Sequence, residues 1–396
     1  MGSGKIMLKS KTGQAVRGEY FFGRDYEINE LWGKIESGSS ILISAPRRVG
    51  KTSLMFYIED NPRADYHVIY LITESVNGEN EYFKRVFDKI VETALHGKNK
   101  VLRKAFTIAK DISTKIKSVG QNGIELNEDG KLNYFEELIN LIKALDLEGN
   151  RLVIMVDEFA QTLENIVRTS GADKAVHFLQ SNRELRQMTE INEKVQFIYA
   201  GSIGLENVVS GLNSVNLIND LDSMRLRPFS KEQARTLMRE LLEDLKFSLN
   251  EKQVDYVLDK IKWYIPFYIQ LVIQEMDVIT SYNGNCKIDQ ALIDCAFEQI
   301  LEHRNYFEHW DKRLKKAYKK GDYYFAKDLL SYVSKDGEIN SGNIYNLAAK
   351  YNVEESFKDV LRSLVYDGYI NNNENVKIYR FNSPILRMWW WKNVAN

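Results

Sequence analysis

Short apolar runs alternate with longer helical patterns in the first half of the chain. Four of these runs are apolar almost throughout and have the length of strands: Ile41 to Ser44, Val68 to Ile72, Leu152 to Val156 and Val195 to Tyr199. A fifth, weaker run lies around Asp222 to Leu226. Continuous apolar runs are typical of strands buried on both faces, and strands that alternate with helices form parallel sheets. The pattern predicts an α/β domain whose parallel sheet is flanked by helices.

The pattern changes after Pro228, where periodic helical segments follow one another with no strand signal. The last part then reads as three helices and a strand pair: Tyr324 to Val333, Asn343 to Lys350, Glu354 to Tyr366, and Tyr369 to Phe381. Three helices followed by a β wing predict a winged-helix domain. The predicted divisions are a flexible leader at 1–19, an α/β core at 20–230 with a helical insertion at about 98–119, a helical domain at 231–320 and a winged helix at 321–396.

Composition narrows the class of protein. The 396 residues suggest two or three domains, and a formal net charge of -1 with 28% charged residues gives no overall signature of nucleic-acid binding. Cys286 and Cys295 lack the spacing and histidine partners of a zinc site. No apolar run approaches the roughly 20 residues of a membrane span, and no secretory signal is evident. A cytoplasmic protein with no membrane partner is the expectation.

A phosphate-binding loop follows the first predicted strand. It reads Ala45-Pro46-Arg47-Arg48-Val49-Gly50-Lys51-Thr52 and leads into a helix. Backbone N–H groups and the positive end of a helix bind anions, and in this motif Lys51 would reach the β- and γ-phosphates of a nucleotide. The Thr52 hydroxyl would bind Mg²⁺. Arg47 and Arg48 add positive charge that phosphates, acidic neighbours or an adjoining subunit would satisfy equally well.

Acidic and polar residues follow two later strands. Asp157-Glu158 comes directly after Leu152 to Val156, at the strand end where ligands of open α/β sheets bind. Asp157 would hold Mg²⁺, and Glu158 would polarise the water that attacks the γ-phosphate. Ser202, after the strand that ends at Ala200, is a candidate phosphate sensor. Arg186 is taken as the catalytic cation, with Arg183, Arg225 and Arg227 as alternatives.

These residues resemble the archaeal-type ATPases of the AAA+/STAND superfamily of P-loop NTPases, over most of the chain. The matching segments are Phe22-Gly23-Arg24, the phosphate loop, Val156-Asp157-Glu158, Gly201-Ser202, Leu226-Arg227-Pro228-Phe229-Ser230, Pro266-Phe267-Tyr268-Ile269-Gln270 and Phe381-Asn382-Ser383-Pro384. The resemblance implies ATP and Mg²⁺ as cofactors, an ATPase core, a helical lid and a winged helix. Two departures are Ala45 at the first loop position and Trp263-Tyr264-Ile265 before the lid proline, where the family more often has glycine.

The resemblance also implies contacts with the base and ribose. Phe22, Gly23 and Arg24 would lie near the adenine and ribose, and Pro266 would close over the base. The full set of expected nucleotide-binding residues is Phe22, Gly23, Arg24, Ala45, Pro46, Arg47, Arg48, Val49, Gly50, Lys51, Thr52, Ser53 and Pro266.

Two functions remain open at this point. The first is an ATP-hydrolysing switch or remodeller that acts on a protein or DNA partner or through self-association. The alternative is a nucleotide-gated DNA- or protein-binding regulator with little turnover, whereas a kinase would need an acceptor-site motif. Glu354 and Glu355 lead the third winged-helix segment and would repel DNA, which favours a protein partner. DNA contact through the winged helix or the basic run at 312–320 remains an alternative.

Overall fold

The computed structural model divides the chain into two compact units. It describes residue 9 and residues 11–96, 132–201, 204–282, 287–318 and 320–395. The predicted helical insertion at about 98–119 and Ser202 therefore lie outside the described residues. We call Arg24–Ser44 with Lys51–Leu226 the α/β unit, and Met1–Gly23, Ala45–Gly50 and Arg227–Asn396 the helical unit. The predicted domain limits differ from this division and stay predictions.

The α/β unit contains a five-stranded sheet with all pairs parallel. Its strands are β1 (Ile41–Ser44), β2 (Tyr66–Ile72), β3 (Arg151–Asp157), β4 (Val195–Ala200) and β5 (Asp222–Arg225). They lie in the order β2-β3-β4-β1-β5. The five strands predicted from the apolar runs are all present. The central strands β3 and β4 are buried almost throughout, which explains why their sequences are continuously apolar.

Eight described helices belong to the α/β unit. They are α1 (Asp25–Glu36), α2 (Lys51–Asp60), α3 (Glu79–His96), α4 (Tyr134–Ala144), α5 (Phe159–Ser170), α6 (Ala172–Gln187), α7 (Thr189–Asn192) and α8 (Leu205–Gly211). Aromatic side chains from these helices and from β4 fill the core. The Phe159 and Tyr199 ring centroids are 4.4 Å apart, and those of Tyr82 and Phe178 are 4.9 Å apart. Such tilted and edge-on pairs stabilise a core beyond the area they bury.

The helical unit begins its long C-terminal part with five described helices. They are α9 (Lys231–Leu242), α10 (Glu251–Ile261), α11 (Pro266–Tyr282), α12 (Gln290–Ile300) and α13 (Arg304–Ala317). The start of α9 is specified locally, because the Ser230 side chain and Gln233 exchange hydrogen bonds in a capping box. Asn250 and Gln253 form the same motif at α10. These helices agree with the helical segments predicted after Pro228.

The last part of the helical unit is a mixed arrangement of helices and a small sheet. Its elements are α14 (Lys320–Asp336), β6 (Glu338–Asn340), α15 (Ser341–Tyr351), α16 (Phe357–Tyr366), β7 (Ile370–Asn371), β8 (Ile378–Phe381) and α17 (Pro384–Asn393). The sheet is antiparallel with the order β6-β8-β7. The three predicted helices and the strand pair are present, and β6 and α17 are additional. The winged-helix assignment itself stays a prediction.

The tryptophan-rich tail packs inside the helical unit. Trp389 and Trp390 lie on α17 and are buried. The Trp390 indole N–H donates to Ser331 Oγ at 3.3 Å, and the Trp389 ring stacks on Phe307 with centroids 5.6 Å apart. Trp391 is 38% exposed. Among the described residues, no helix combines the length and apolar composition that a membrane crossing requires.

Candidate nucleotide-binding site

The last residue of β3 is joined by a hydrogen bond to the first turn of α2. Thr52 Oγ1 donates to Asp157 Oδ2 at 2.7 Å. Asp157 is 2% exposed, and Lys51, which precedes Thr52, is 7% exposed. The lysine and threonine that end the phosphate-loop motif therefore lie together with the acidic residue that the sequence assigns to the metal.

The topology of the sheet explains why Thr52 and Asp157 lie close together. Strands β1 and β3 run parallel with β4 between them, so both end at the same edge of the sheet. Helix α2 starts at Lys51, shortly after β1 ends. Residues that follow the carboxyl ends of neighbouring parallel strands converge there, as in other open α/β sheets. The order of strands thus brings Thr52 to Asp157 across a separation of about a hundred residues.

The Asp157 carboxyl lies in an environment that resists its charge. Burial raises the pKa of this carboxyl above its ordinary value, and the nearby Glu158 raises it further. The Thr52 hydrogen bond, the Lys51 charge and the Tyr70 hydrogen bond act in the opposite direction on the same pKa. A cation placed against Asp157 would favour the carboxylate form, because opposite charges stabilise each other in a poorly hydrated site.

A tyrosine that the sequence did not single out also reaches Asp157. Tyr70 lies on the adjacent strand β2, and its hydroxyl donates to Asp157 Oδ2 at 3.1 Å. Burial raises the pKa of the Tyr70 hydroxyl, with the Asp157 charge next in importance, so this group remains a donor. The alternation of side chains along β2 makes Tyr70 a possible site residue, but the sequence does not reveal its register against β3.

Two buried threonines hold the carbonyl end of β3. The Thr73 N–H donates to the Asp157 carbonyl at 3.0 Å, and Thr73 Oγ1 donates to the same oxygen at 3.1 Å. Thr162 Oγ1, on α5, donates to the Thr73 carbonyl at 2.7 Å. Both threonines are fully buried. These bonds restrict the backbone from which Asp157 and Glu158 extend, and no motif in the sequence identified them.

Glu158 occupies an unusual backbone conformation. Its φ is 61°, in the left-handed region that non-glycine residues adopt rarely, and α5 begins at the next residue. The Glu158 N–H donates to Asp157 Oδ1 at 3.0 Å. Such conformations cluster at functional sites, where the surrounding structure supports them. Here the buried threonine bonds supply that support.

The donors at this site fit Mg²⁺. A hydroxyl and a carboxylate are oxygen ligands of the kind this ion prefers, and Mg²⁺ in nucleotide sites usually takes only one or two protein ligands beside phosphates and water. Within the described ranges, no group of three or more His, Cys, Asp or Glu side chains could hold a metal ion alone. Thr52 and Asp157 are accordingly the residues that would hold magnesium together with nucleotide phosphates.

The remaining expected nucleotide contacts fall in both units. In the helical unit, Phe22 packs edge-on against Phe229 with centroids 5.7 Å apart, Gly50 has φ 104°, and Pro266 opens α11. In the α/β unit, Arg24 is buried, and its Nη1 lies 2.7 Å from Glu27 Oε1. Burial lowers the pKa of the Arg24 guanidinium. The Arg24 side chain is thus held by an ion pair within its own helix turn.

Arg186 lies in a buried ion pair. Its Nε and Nη2 donate to the two carboxylate oxygens of Asp220 at 2.7 and 2.9 Å, and Nη2 also donates to the Leu217 carbonyl at 3.0 Å. Its side chain is 3% exposed. A catalytic role for Arg186 would require this ion pair to open. The other candidate on the helix, Arg183, donates to the Asn216 carbonyl.

Comparison with known proteins places this geometry in context. A family model described as an ATPase domain predominantly from Archaea matches residues 21–263. The fold is similar to a Walker-type ATPase of Pyrococcus abyssi, with a TM-score of 0.61, 16% identity, and coverage of 97% of this chain and 99% of that one. It is also similar to the ORC2 protein of Aeropyrum pernix in ADPNP–ADP complexes, with a TM-score of 0.55, 12% identity, and coverage of 96% and 94%. The search of curated proteins finds no match.

Proposed function

The chain belongs to the family of ATPase domains found predominantly in Archaea, and on that premise we propose that it binds ATP with Mg²⁺ and hydrolyses it. The observation that carries the proposal is the 2.7 Å hydrogen bond from Thr52 to buried Asp157, with Lys51 beside it. The bond shows that the threonine of the phosphate loop lies next to the acidic end of β3. Two residues that bind one magnesium ion must be this close together.

Each residue has a distinct role in this proposal. Lys51 supplies a positive charge to the β- and γ-phosphates, and Thr52 and Asp157 hold Mg²⁺. The ion, when bound, would neutralise charge on the phosphate oxygens. Glu158 orients the attacking water and accepts its proton, for which its fixed backbone is suited because general bases need accurate placement.

The substitution Glu158→Gln tests the catalytic part of the proposal. The amide keeps the size of the side chain but cannot accept the proton, so we expect phosphate release to fall by about 100-fold or more while ATP still binds. Turnover is measured by phosphate release and affinity by calorimetry. Glu148→Gln is the matched control, because Glu148 is an exposed glutamate of the same unit that also has positive φ.

Two outcomes would contradict the proposal in different ways. If the Glu158→Gln protein hydrolyses ATP as fast as the wild type, Glu158 is not the general base. Failure of the wild-type chain to bind ATP in the presence of Mg²⁺ would remove the whole assignment.

We also propose that ATP acts as a switch on a partner rather than as a fuel for chemistry on a second substrate. The part of the phosphate loop at Ala45–Gly50 belongs to the helical unit, together with Arg227–Asn396. Arg48 of the loop stacks on Phe267 of α11 in the same unit, so a change in the loop on nucleotide binding would reach that helix directly. This supports the switch or remodeller over the kinase alternative.

In the basic run at 312–320, several positive charges are neutralised by acidic neighbours. Lys312 pairs with Glu308 at 2.9 Å, and Lys315 pairs with Asp311 at 2.7 Å. Arg313 is buried and bonded to Asp367. Because nonspecific DNA binding depends on unneutralised cations, these pairs favour a protein partner over DNA at this surface.

A further inference from the structure

The second arginine of the phosphate loop stacks on an aromatic ring of the helical unit. The guanidinium carbon of Arg48 lies 3.9 Å from the ring centroid of Phe267 and 5.8 Å from that of Tyr306. Phe267 is the second residue of α11, directly after Pro266. A guanidinium at this distance is attracted by the negative face of the ring. The loop is thereby attached to the start of α11.

The guanidinium has little else to hold it. Arg48 Nη1 is buried without a hydrogen-bond partner, and within the described residues no carboxylate forms an ion pair with Arg48. Burial lowers the pKa of the Arg48 guanidinium, Tyr268 and Tyr306 act to raise this pKa, and Arg47 acts to lower it. The aromatic faces therefore replace the water that the guanidinium has lost.

The charged groups that the structure describes around Arg48 do not supply it with an anionic partner, and the nearby Arg47 repels it. Burial lowers the pKa of His309 to about 3, with further contributions from Arg48, Arg47 and Arg313. His309 is therefore neutral near pH 7, and its ring nitrogens are buried without hydrogen-bond partners. The carboxylate of Asp367 accepts a hydrogen bond from Arg313 at 2.5 Å. Because Arg48 forms no ion pair within the described part of the chain, the stack on Phe267 contributes directly to holding its side chain.

The backbone of Arg48 also needs external support. Its φ is 66°, in the left-handed region, only two residues before Gly50 with φ 104°. For a residue with a Cβ atom this conformation is unfavourable unless other contacts stabilise it. The stack on Phe267 is one contact that can stabilise this turn, in the segment whose backbone N–H groups are expected to bind phosphate.

We propose that Phe267 is a positioning residue for nucleotide binding: its ring holds Arg48, and through Arg48 it holds the left-handed turn of the phosphate loop in the conformation that receives phosphates. This inference rests on the proposed ATP-binding function. Phe267 acts through Arg48 and the loop, and Tyr306 extends the aromatic surface on which Arg48 lies.

A double-mutant cycle tests the proposal. Phe267→Leu removes the ring face but keeps an apolar side chain, and Arg48→Met removes the charge but keeps the length. Each single change should weaken ADP binding about tenfold, as expected for loss of one desolvated cation–π contact. The double mutant should bind ADP at least as tightly as the single mutant with the lower affinity, because both changes remove the same contact. In ATPase assays KM should rise while kcat changes little, because the chemical groups Glu158 and Lys51 remain.

Phe297→Leu is the matched control. Phe297 is buried in α12 and also has a cation near its ring, with Lys260 Nζ 5.0 Å from the centroid. This variant should lose stability as Phe267→Leu does but should bind ADP like the wild type. If Phe267→Leu does not fold, Arg48→Met tests the same contact at a partly exposed position.

The outcomes separate this inference from the proposed function. Wild-type protein that binds no ADP would refute ATP binding itself. Wild-type protein that binds ADP while Phe267→Leu binds equally well, or single-mutant effects that add fully in the double mutant, would refute the positioning role alone.

Discussion

At the scale of single residues, the surroundings of Asp157 disfavour the charge that its proposed role as a magnesium ligand needs. Burial and Glu158 raise the pKa of this carboxyl, and Thr52, Lys51 and Tyr70 only oppose that effect. The apo protein therefore bears a cost for keeping Asp157 ionised. Functional sites commonly reduce stability in this way, because a group arranged to bind a cation is poorly accommodated without it.

The substitution Asp157→Asn should reveal this cost. The pKa of Asp157 is higher in the folded protein than in the unfolded chain. At pH values between these two pKa values, the folded protein therefore binds more protons at Asp157 than the unfolded chain does. The contribution of Asp157 to the free energy of unfolding falls as pH rises through this range. We therefore expect Asp157→Asn to be more stable than the wild type at neutral pH, with the difference closing toward low pH. Mg²⁺-dependent ATP binding should be lost.

Denaturant unfolding over a range of pH, without nucleotide, measures this effect. Asp65→Asn, an exposed aspartate of the same unit, is the control and should leave the pH dependence unchanged. An Asp157→Asn protein that is less stable than the wild type at neutral pH would show that the carboxylate is stabilising in place.

At the scale of elements, Arg186 ties α6 to the segment before β5. Its guanidinium meets both carboxylate oxygens of Asp220 and the Leu217 carbonyl. Planar, paired hydrogen bonds of this kind fix geometry as well as charge. The structure thus shows that Arg186 joins two elements, and the catalytic role suggested by its sequence position stays a prediction.

Removal of this guanidinium should mainly affect stability. Arg186→Ala leaves the partly buried Asp220 without its partner, so we expect the free energy of unfolding to fall by about 3 kcal/mol. Arg183→Ala on the same helix should cost less than about 1 kcal/mol, because Arg183 is only partly buried. Denaturant unfolding measures both, and turnover is normalised to folded protein. A folded Arg186→Ala protein that binds ATP but has lost turnover would instead support the catalytic assignment.

At the scale of the whole molecule, Ala45–Gly50 of the phosphate loop are part of a unit built mostly from the far end of the chain. Gly368, between α16 and β7, has φ 86°, and a Cβ atom there would lie 2.9 Å from Trp263 and 3.0 Å from Pro46 of the loop. Only glycine fits both the conformation and the space. The last part of the chain therefore packs directly on the phosphate loop.

A methyl group at this position should affect both stability and nucleotide binding. Gly368→Ala adds a left-handed backbone cost and overlap with Trp263 and Pro46, so we expect about 2 kcal/mol lower stability and weaker ADP binding. Gly337→Ala is the matched control. It has φ 90°, but its Cβ would meet nothing nearer than Arg387 at 3.5 Å, so it should lower stability while ADP affinity is kept.

Thermal unfolding and calorimetric titration with ADP separate the two effects. Equal ADP affinity in the two alanine variants, measured on folded protein, would show that the contact with Pro46 does not influence the loop.

The sequence by itself determined the five strands and most helices, and it singled out the residues proposed for the site. Strands buried on both faces must be apolar throughout, and the capping box at Ser230 and Gln233 is readable because its partners are close in the chain. Lys51, Thr52, Asp157 and Glu158 stand in short motifs beside strands. Strand β6 was missed because three residues are too few to show a period.

Only the tertiary structure decided the contacts between residues far apart in the chain. Strand order and register brought Tyr70 and Thr52 to the same oxygen of Asp157. Packing turned Arg186 toward Asp220 and placed Arg48 on Phe267. These partners share no local pattern, because their proximity arises from the way whole elements pack. Local sequence therefore specifies which groups can do the chemistry, and the fold decides which of them meet.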